Sequence, residues 1–336
     1  MGKPAAGELV LARVDAIGFH SGLQLASGRR RTLFVGDEIV VAYGNRYASS
    51  QFKSFVPESL GPCHLVAGGG IASRASSWHD RIAKGPTHIT PIGMIADGKG
   101  RRINLQDFGL PWLEDLGGYR PTTIAVVGTA MDAGKTQTAA FLARGLIDAG
   151  LRVGYAKITG TGAGGDTWLL RDAGANPVFD FTDAGLATTY LASPQEVTRV
   201  LMTLVAHTAR AGVDALVMEI ADGVYQRETS ALLSSVAFAQ LTGGIVLAAS
   251  DSMAASAGFH WLKQQSTPVL ALSGVLTASP LQVEEATEVT GLPIFDREGL
   301  ATAGNAMAIL GQAQHHLESI VPGFAGFGNN NDPGKP

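Results

Sequence analysis

The stretch 124–136, IAVVGTAMDAGKT, constrains this chain more than any other. Ile124 to Val127 form an apolar run that reads as a buried strand and breaks at Gly128. A loop leads to Gly134-Lys135-Thr136, and an alanine-rich pattern of helical period follows. Strand, glycine loop and helix, in that order, make a phosphate cradle. Backbone N–H groups of the loop and the helix start would face the anion, and the helix dipole would favour it there. Lys135 would reach the terminal phosphates as a point charge, and Thr136 would offer its hydroxyl to Mg²⁺. The candidate nucleotide contacts are Gly128, Thr129, Asp132, Ala133, Gly134, Lys135, Thr136 and Gln137. The loop reads G-x-x-x-x-x-G-K-T, one residue longer than the common form. A chance Gly-Lys-Thr at a helix start is the competing reading, and the fit of both flanks weighs against it.

With 336 residues the chain is long enough for two domains, and 46% hydrophobic against 16% charged residues can fill sizeable cores. A net charge of −4 argues against nucleic acid or an anionic membrane as the main partner. The single cysteine, Cys63, excludes an internal disulfide framework and a cysteine-rich metal site. The sequence shows neither a basic-then-apolar leader nor an apolar run of membrane length, so the expectation is a soluble, cytoplasmic protein.

Residues 1–110 read as β-rich, with strand candidates at 9–14, 31–35, 38–43, 63–67 and 88–95 and a helix near 75–83. Gly36-Asp37, between two of these runs, is a hairpin signal. A small barrel-like domain is predicted. Arg29-Arg30-Arg31 could hold an anion, but a solvated turn is the better reading. His64, His79 and His88 lack metal-ligand spacing. Gly68-Gly69-Gly70 is either a turn or a place where a ligand meets the backbone.

Residues 111–122 form the expected linker, and 123–321 alternate strand with helix. That grammar predicts an α/β domain of P-loop NTPase type, a mostly parallel sheet flanked by helices. Its helices are expected at 136–149, 166–174, 195–211, 231–241, 254–264, 281–290 and 298–318, and its later strands at 153–156, 214–218, 245–249, 269–274 and 292–295. Residues 322–336 read as a disordered tail.

Ligands of open α/β sheets bind at the carboxyl ends of the strands. The phosphate loop, Lys157 with the glycine loop 158–165, Glu219 and Ser250-Asp251 all fall at such ends. Two lysines, a threonine hydroxyl and two or three carboxylates in one crevice suit Mg²⁺-assisted phosphoryl transfer. A carboxylate directly after a buried apolar run, as Glu219 is, points to function because an unpaired buried charge is costly. Asp166 serves as a helix N-cap, a metal ligand or both. Asp222 and Asp251 read first as turn residues, and His207 and His260 as structural. Asp132 contacts the nucleotide or a partner subunit, or only shapes its turn.

These residues resemble dethiobiotin synthetase and its relatives over about 121–300. The lengthened loop GTAMDAGKT, the strand GLRVGYAKITGTG ending in Lys157, and the glutamate of EIADG carry the likeness. The strand–helix–strand run through 245–280 follows it. EIADG stands where the family has an E-G-A-G-G-like motif, and Thr277 and Ser279 stand where it has a base-reading asparagine. The β-rich first domain has no counterpart in the simple synthetase. The resemblance implies ATP and Mg²⁺ as cofactors and Thr136, Asp166 and Glu219 as the metal ligands. It implies Lys135, Lys157 and Glu219 as the catalytic set, with Lys157 between ATP and an acidic substrate. It further implies a ligase that activates a carboxyl or carbamate group of a small carboxylated molecule for amide or ring formation, working as a homodimer. The alternative on the same fold is a regulatory or cofactor-assembly NTPase that docks a protein partner through the β domain.

Overall fold

The computed structural model describes residues 2–113, 120–324 and 326. Two compact units result: Met1–Pro111 with Gly160–Trp168 and Phe181–Ala192, and Trp112–Thr159 with Leu169–Asp180 and Ser193–Pro336. Half of the expected linker, 114–119, and most of the expected tail lie outside the described residues.

Unit 1 contains β1 (Leu9–Ala16), β2 (Gly22–Gln24), β3 (Arg30–Thr32), β4 (Glu38–Tyr43), β5 (Arg46–Tyr47), β6 (Phe52–Phe55), β7 (Cys63–Ala67), β8 (Ile71–Trp78) and β9 (Thr87–Met94). Val10, Ala12 and Val14 of β1 point inward while Arg13 points out, the period-two pattern of a half-buried strand. The sheet runs β4-β1-β9-β7-β8-β6-β5, and a parallel pairing of β4 with β8 closes the first five strands into a ring. Closure leaves those strands no free edge and gives the barrel its core of Val10, Val14, Ile39, Val41, Tyr43, Leu65 and Ile89.

Two local expectations change here. The stretch 75–83 is not a helix: its first half completes β8, which is paired on one side with β7 and on the other with β6. The polar Ala-Ser-Ser text has little preference of its own, and the ladder decides. Gly36-Asp37 does not join paired strands either. β3 pairs with β2 and β4 pairs with β1. All three residues of β3 are exposed, so it has no apolar face to lay beside β4.

The distant segments 160–168 and 181–192 are integral to unit 1. Gly162 N–H donates to the Ala187 carbonyl at 3.0 Å, Gly164 N–H to Gln24 Oε1 at 2.8 Å, and Thr188 Oγ1 to the Asn45 carbonyl at 2.6 Å. A Cβ on Gly69 would lie 1.9 Å from the Gly162 carbonyl oxygen, so only glycine lets the two backbones meet. Close backbone contact accounts for Gly69, and a left-handed φ of 100° for Gly70.

Unit 2 is built on β10 (Thr122–Gly128), α1 (Lys135–Asp148), β11 (Val153–Thr159), α2 (Gly165–Asp172), β12 (Val178–Asp180), α3 (Pro194–Arg210), β13 (Ala215–Ile220), α4 (Arg227–Leu233), α5 (Val236–Leu241), β14 (Gly244–Ala248), α6 (Ser252–Leu262), β15 (Val269–Ser273), α7 (Pro280–Thr290), α8 (Arg297–Ala301) and α9 (Ala303–Ile320). The first residues of α2, to Trp168, pack with unit 1. The sheet is parallel throughout, in the order β12-β11-β13-β10-β14-β15. This is a P-loop NTPase-type α/β fold. β10 lies between β13 and β14, so the chain leaves it for β11 on one side and later returns to its other side. That reversal opens a crevice at the carboxyl ends. The expected helix 231–241 is two helices, because Ser235 caps α5 by accepting from Phe238 N–H. The expected closing helix also breaks, at Thr302, and the strand at 292–295 reduces to one bridge between Leu272 and Ile294. Among the described residues, no helix is long and apolar enough to cross a membrane.

His20, buried in unit 1, accepts from the Arg46 guanidinium at 3.1 Å. Loss of water, aided by the Arg46 charge, pushes its pKa down from 6.5 to about 4. The folded chain therefore binds fewer protons than the unfolded chain between these values, and stability falls as pH drops through that window. His20→Gln, which keeps an acceptor for Arg46, is expected to remove about 2–3 kcal/mol of acid sensitivity. Urea unfolding at about pH 7 and about pH 4.5 measures this; equal slopes in both proteins exclude His20 as the source.

Candidate functional site

β10 ends at Gly128 and α1 begins at Lys135, with Gly134 at the N-cap in the left-handed region, φ 97°. No side chain caps α1. The first N–H groups of a helix have no acceptor within it, so this terminus presents donors and a positive dipole end. The loop is stitched to the sheet around it. Thr129 N–H donates to the Ala248 carbonyl at 3.0 Å, Val224 N–H to the Gly128 carbonyl at 3.1 Å, and Val275 N–H to the Ala133 carbonyl at 3.1 Å.

Lys135 is 7% exposed, and its aliphatic stem crosses Gly128, where a Cβ would stand 2.7–2.9 Å from the lysine's atoms. The stem passes only because residue 128 has no side chain. Its Nζ donates to the Ala130 carbonyl at 2.8 Å. Burial pulls the Lys135 pKa down; the carboxylates of Glu219, Asp222 and Asp132 pull it back up, and the Lys157 charge opposes them.

Glu219, 1% exposed on β13, gathers the second half of the site. Its Oε1 accepts from Thr136 Oγ1 at 3.2 Å and pairs with Lys157 Nζ at 3.1 Å, and its Oε2 accepts from the Tyr155 hydroxyl at 2.9 Å. The strand register explains the meeting: Lys157 of β11 lies directly beside Glu219, and Tyr155 two residues earlier shares its face. Three donors offset the desolvation of one carboxylate. Thr136 and Glu219 are hard oxygen donors side by side at a helix start. That fits Mg²⁺, which takes one or two protein oxygens and fills its shell with water and phosphate. Among the described residues, no group of three or more His, Cys, Asp or Glu is arranged for a metal.

Beside the loop is a cavity of about 380 Å³ lined by Gly134, Gln137 and Thr138, by Ser273, Gly274, Val275, Thr277 and Ala278, and by Asp296, Arg297 and Glu298.

The remaining expected residues separate clearly. Ala133 is buried and acts through its backbone. Asp251 caps α6, accepting from Ala254 N–H at 2.7 Å, and these backbone bonds hold its pKa below the usual carboxylate value. Ser279 caps α7, whereas Thr277 lines the cavity. His207 packs against Phe179, and the His260 ring bonds the Ser256 carbonyl. Asp166 lies inside the first turn of α2, not at its cap, and belongs to unit 1. Thr136 and Glu219 are the two expected metal ligands brought together within unit 2. Sequence reasoning missed Tyr155, although its offset of two from Lys157 on a strand announced a shared face. It also missed Asp296, Arg297 and Glu298, which follow the final short strand text as the other candidates follow theirs.

The sequence matches no protein-family model and no curated protein. Its likeness to solved structures is low. The 54 kDa signal recognition particle protein of Aeropyrum pernix, solved with GDP, is 19% identical over 62% of this chain and 52% of its own, with a TM-score of 0.38. The signal recognition particle receptor FtsY of Elizabethkingia anophelis, also with GDP, is 18% identical over 63% and 59%, with a TM-score of 0.34. A DUF1611 family protein of Anabaena variabilis is 13% identical over 63% of each chain, with a TM-score of 0.44. This chain therefore spans between half and two thirds of these proteins. None of the three reaches a TM-score of 0.5, and what the site does is read from its own residues.

Tyr155→Phe removes one of the three donors to Glu219, the one that bonds Oε2. The expected cost is about 1–3 kcal/mol of unfolding free energy, measured by urea denaturation. A change below about 0.5 kcal/mol would show that this bond does not hold the site together.

Proposed function

We propose that unit 2 binds the triphosphate of ATP in the 128–136 loop together with Mg²⁺, and that the protein is a ligase-type enzyme activating a carboxyl or carbamate group of a small molecule. The observation that carries this reading is an uncapped helix start flanked by two buried lysines and the Glu219–Thr136 oxygen pair. Lys135 would offset the charge of the terminal phosphates, and the amides of α1 would donate to their oxygens. Thr136 and Glu219 would hold Mg²⁺. The metal, when bound, would spread the phosphate charge. Lys157 would stand beside the transferring phosphoryl group and steady its oxygens. The nucleoside would occupy the cavity between Gln137 and Asp296.

In this chemistry a substrate carboxylate oxygen forms a bond to the γ-phosphorus while the bond to the β,γ-bridging oxygen breaks, and ADP leaves with that electron pair. An amine nitrogen then attacks the activated carbonyl carbon, loses its proton to water, and expels inorganic phosphate. The likeness to dethiobiotin synthetase supports this order of events and a homodimer as the working form. A second reading, a regulatory NTPase with the β unit as docking piece, is favoured by one observation. The glycine loop directly after Lys157 is bonded within unit 1, through Gly162 and Gly164.

Lys135→Ala is expected to weaken ATP binding about 100-fold, and Lys157→Ala to leave affinity within about threefold while slowing turnover about 100-fold. Titration calorimetry with Mg-ATP and Mg-GTP reads the first and identifies the base; unchanged affinity in Lys135→Ala would remove the phosphate site from consideration. ADP release in a screen of small carboxylic acids and amines reads the second. Release that no such compound stimulates, and that Lys157→Ala does not alter, would favour the regulatory NTPase.

A further inference from the structure

We infer that Asp180 is a positioning residue for Lys157, a second carboxylate that holds the lysine in place when Glu219 is drawn toward a metal. β12 is only three residues long and ends at Asp180. Its register with β11 sets Val178 beside Tyr155 and Asp180 beside Lys157. On the other side of β11, Lys157 lies beside Glu219. Residues in register on adjacent parallel strands project to the same face. That face is fixed here by Val153, Tyr155, Val178, Ala215 and Val217, which all join the apolar cluster formed with α1. Asp180, Lys157 and Glu219 therefore form a row across three strands, negative, positive, negative, on the face where α1 presents Thr136. The row stops at the next strand, where Val126 stands beside Glu219.

All three side chains are buried: Asp180 is 6% exposed, Lys157 8% and Glu219 1%. Neighbouring strands are about 4.8 Å apart, so Asp180 flanks the lysine from the side opposite Glu219. The need for it lies in how Glu219 is shared. Thr136 and Lys157 both use Oε1, and that oxygen is the one nearest the threonine hydroxyl that would join it on Mg²⁺. Any turn of Oε1 toward a cation weakens its bond to Lys157. A buried lysine whose neighbouring carboxylate turns away is held less firmly in place. Asp180 supplies the partner that no metal competes for. Lys135, the other cation of the site, stands on α1 and cannot take that role.

The pairing itself does not depend on what the site binds, whereas its catalytic consequence rests on the nucleotide reading above. Two double-mutant cycles over Asp180→Asn and Lys157→Met keep these apart. In urea unfolding without nucleotide, the two substitutions are expected to be non-additive, the double variant losing less stability than the sum. Additive losses would overturn the pairing. In Mg-ATP turnover, Asp180→Asn is expected to lower kcat about tenfold with KM for ATP within about twofold, and to have no further effect once Lys157 is Met. Asp180→Glu, which keeps the charge, should recover at least about a third of the lost rate, as a packing role would not allow. An unchanged kcat in Asp180→Asn, or losses that multiply in the double variant, would refute the positioning role. If the wild-type protein neither binds nor turns over Mg-ATP, the nucleotide reading fails by itself, and the urea cycle still decides the pairing.

Discussion

A buried carboxylate organises this protein's second unit. Glu219 has almost no contact with water and is satisfied by donors from two other elements, Thr136 on α1 and Tyr155 with Lys157 on β11. Left without them, the charge would cost several kcal/mol to bury, so helix, strand and carboxylate hold one another at fixed distances. The consequence is a set of polar groups that fix one another in place.

The surrounding fold makes that geometry possible. β10 sits between β13 and β14 while α1 carries the chain over to β11, and the crevice so formed collects the ends of four strands. Gly128 lets the Lys135 stem cross the backbone, and Gly134 turns the chain into a helix that no side chain caps. Unit 1 obeys a different logic. Its barrel closes through the β4–β8 pairing, yet its packing is completed by segments from far along the chain, held by Gln24 and Asn45. The first hundred residues alone do not make the unit.

Legibility in the sequence followed the range of the forces involved. The phosphate loop was readable because strand, turn and helix start are local, and a few glycines and one lysine specify them. The strand ends that carry Lys157 and Glu219 were readable because each directly follows an apolar run, whereas the contact between the two side chains was not. The stretch 75–83 was not readable, because polar Ala-Ser text has no strong preference and its strand exists only through its pairing with β6. The Gly36-Asp37 turn misled for a similar reason: its composition fits a hairpin, but the strands it separates pair elsewhere. The cavity wall formed by Asp296, Arg297 and Glu298 escaped notice, since nothing in that text says which earlier loop it will face.

The amino-acid sequence by itself determined the strand–helix alternation of unit 2, the P-loop and the identity of its charged groups, because hydrophobic period and glycine placement act over a few residues. Only the tertiary structure decided which groups meet. Strand register set Lys157 beside Glu219 and Asp180, and non-local pairing moved residues 160–168 and 181–192 into the β unit. Register and pairing are settled by the sum of many weak contacts between distant segments, and no single stretch of chain encodes that sum.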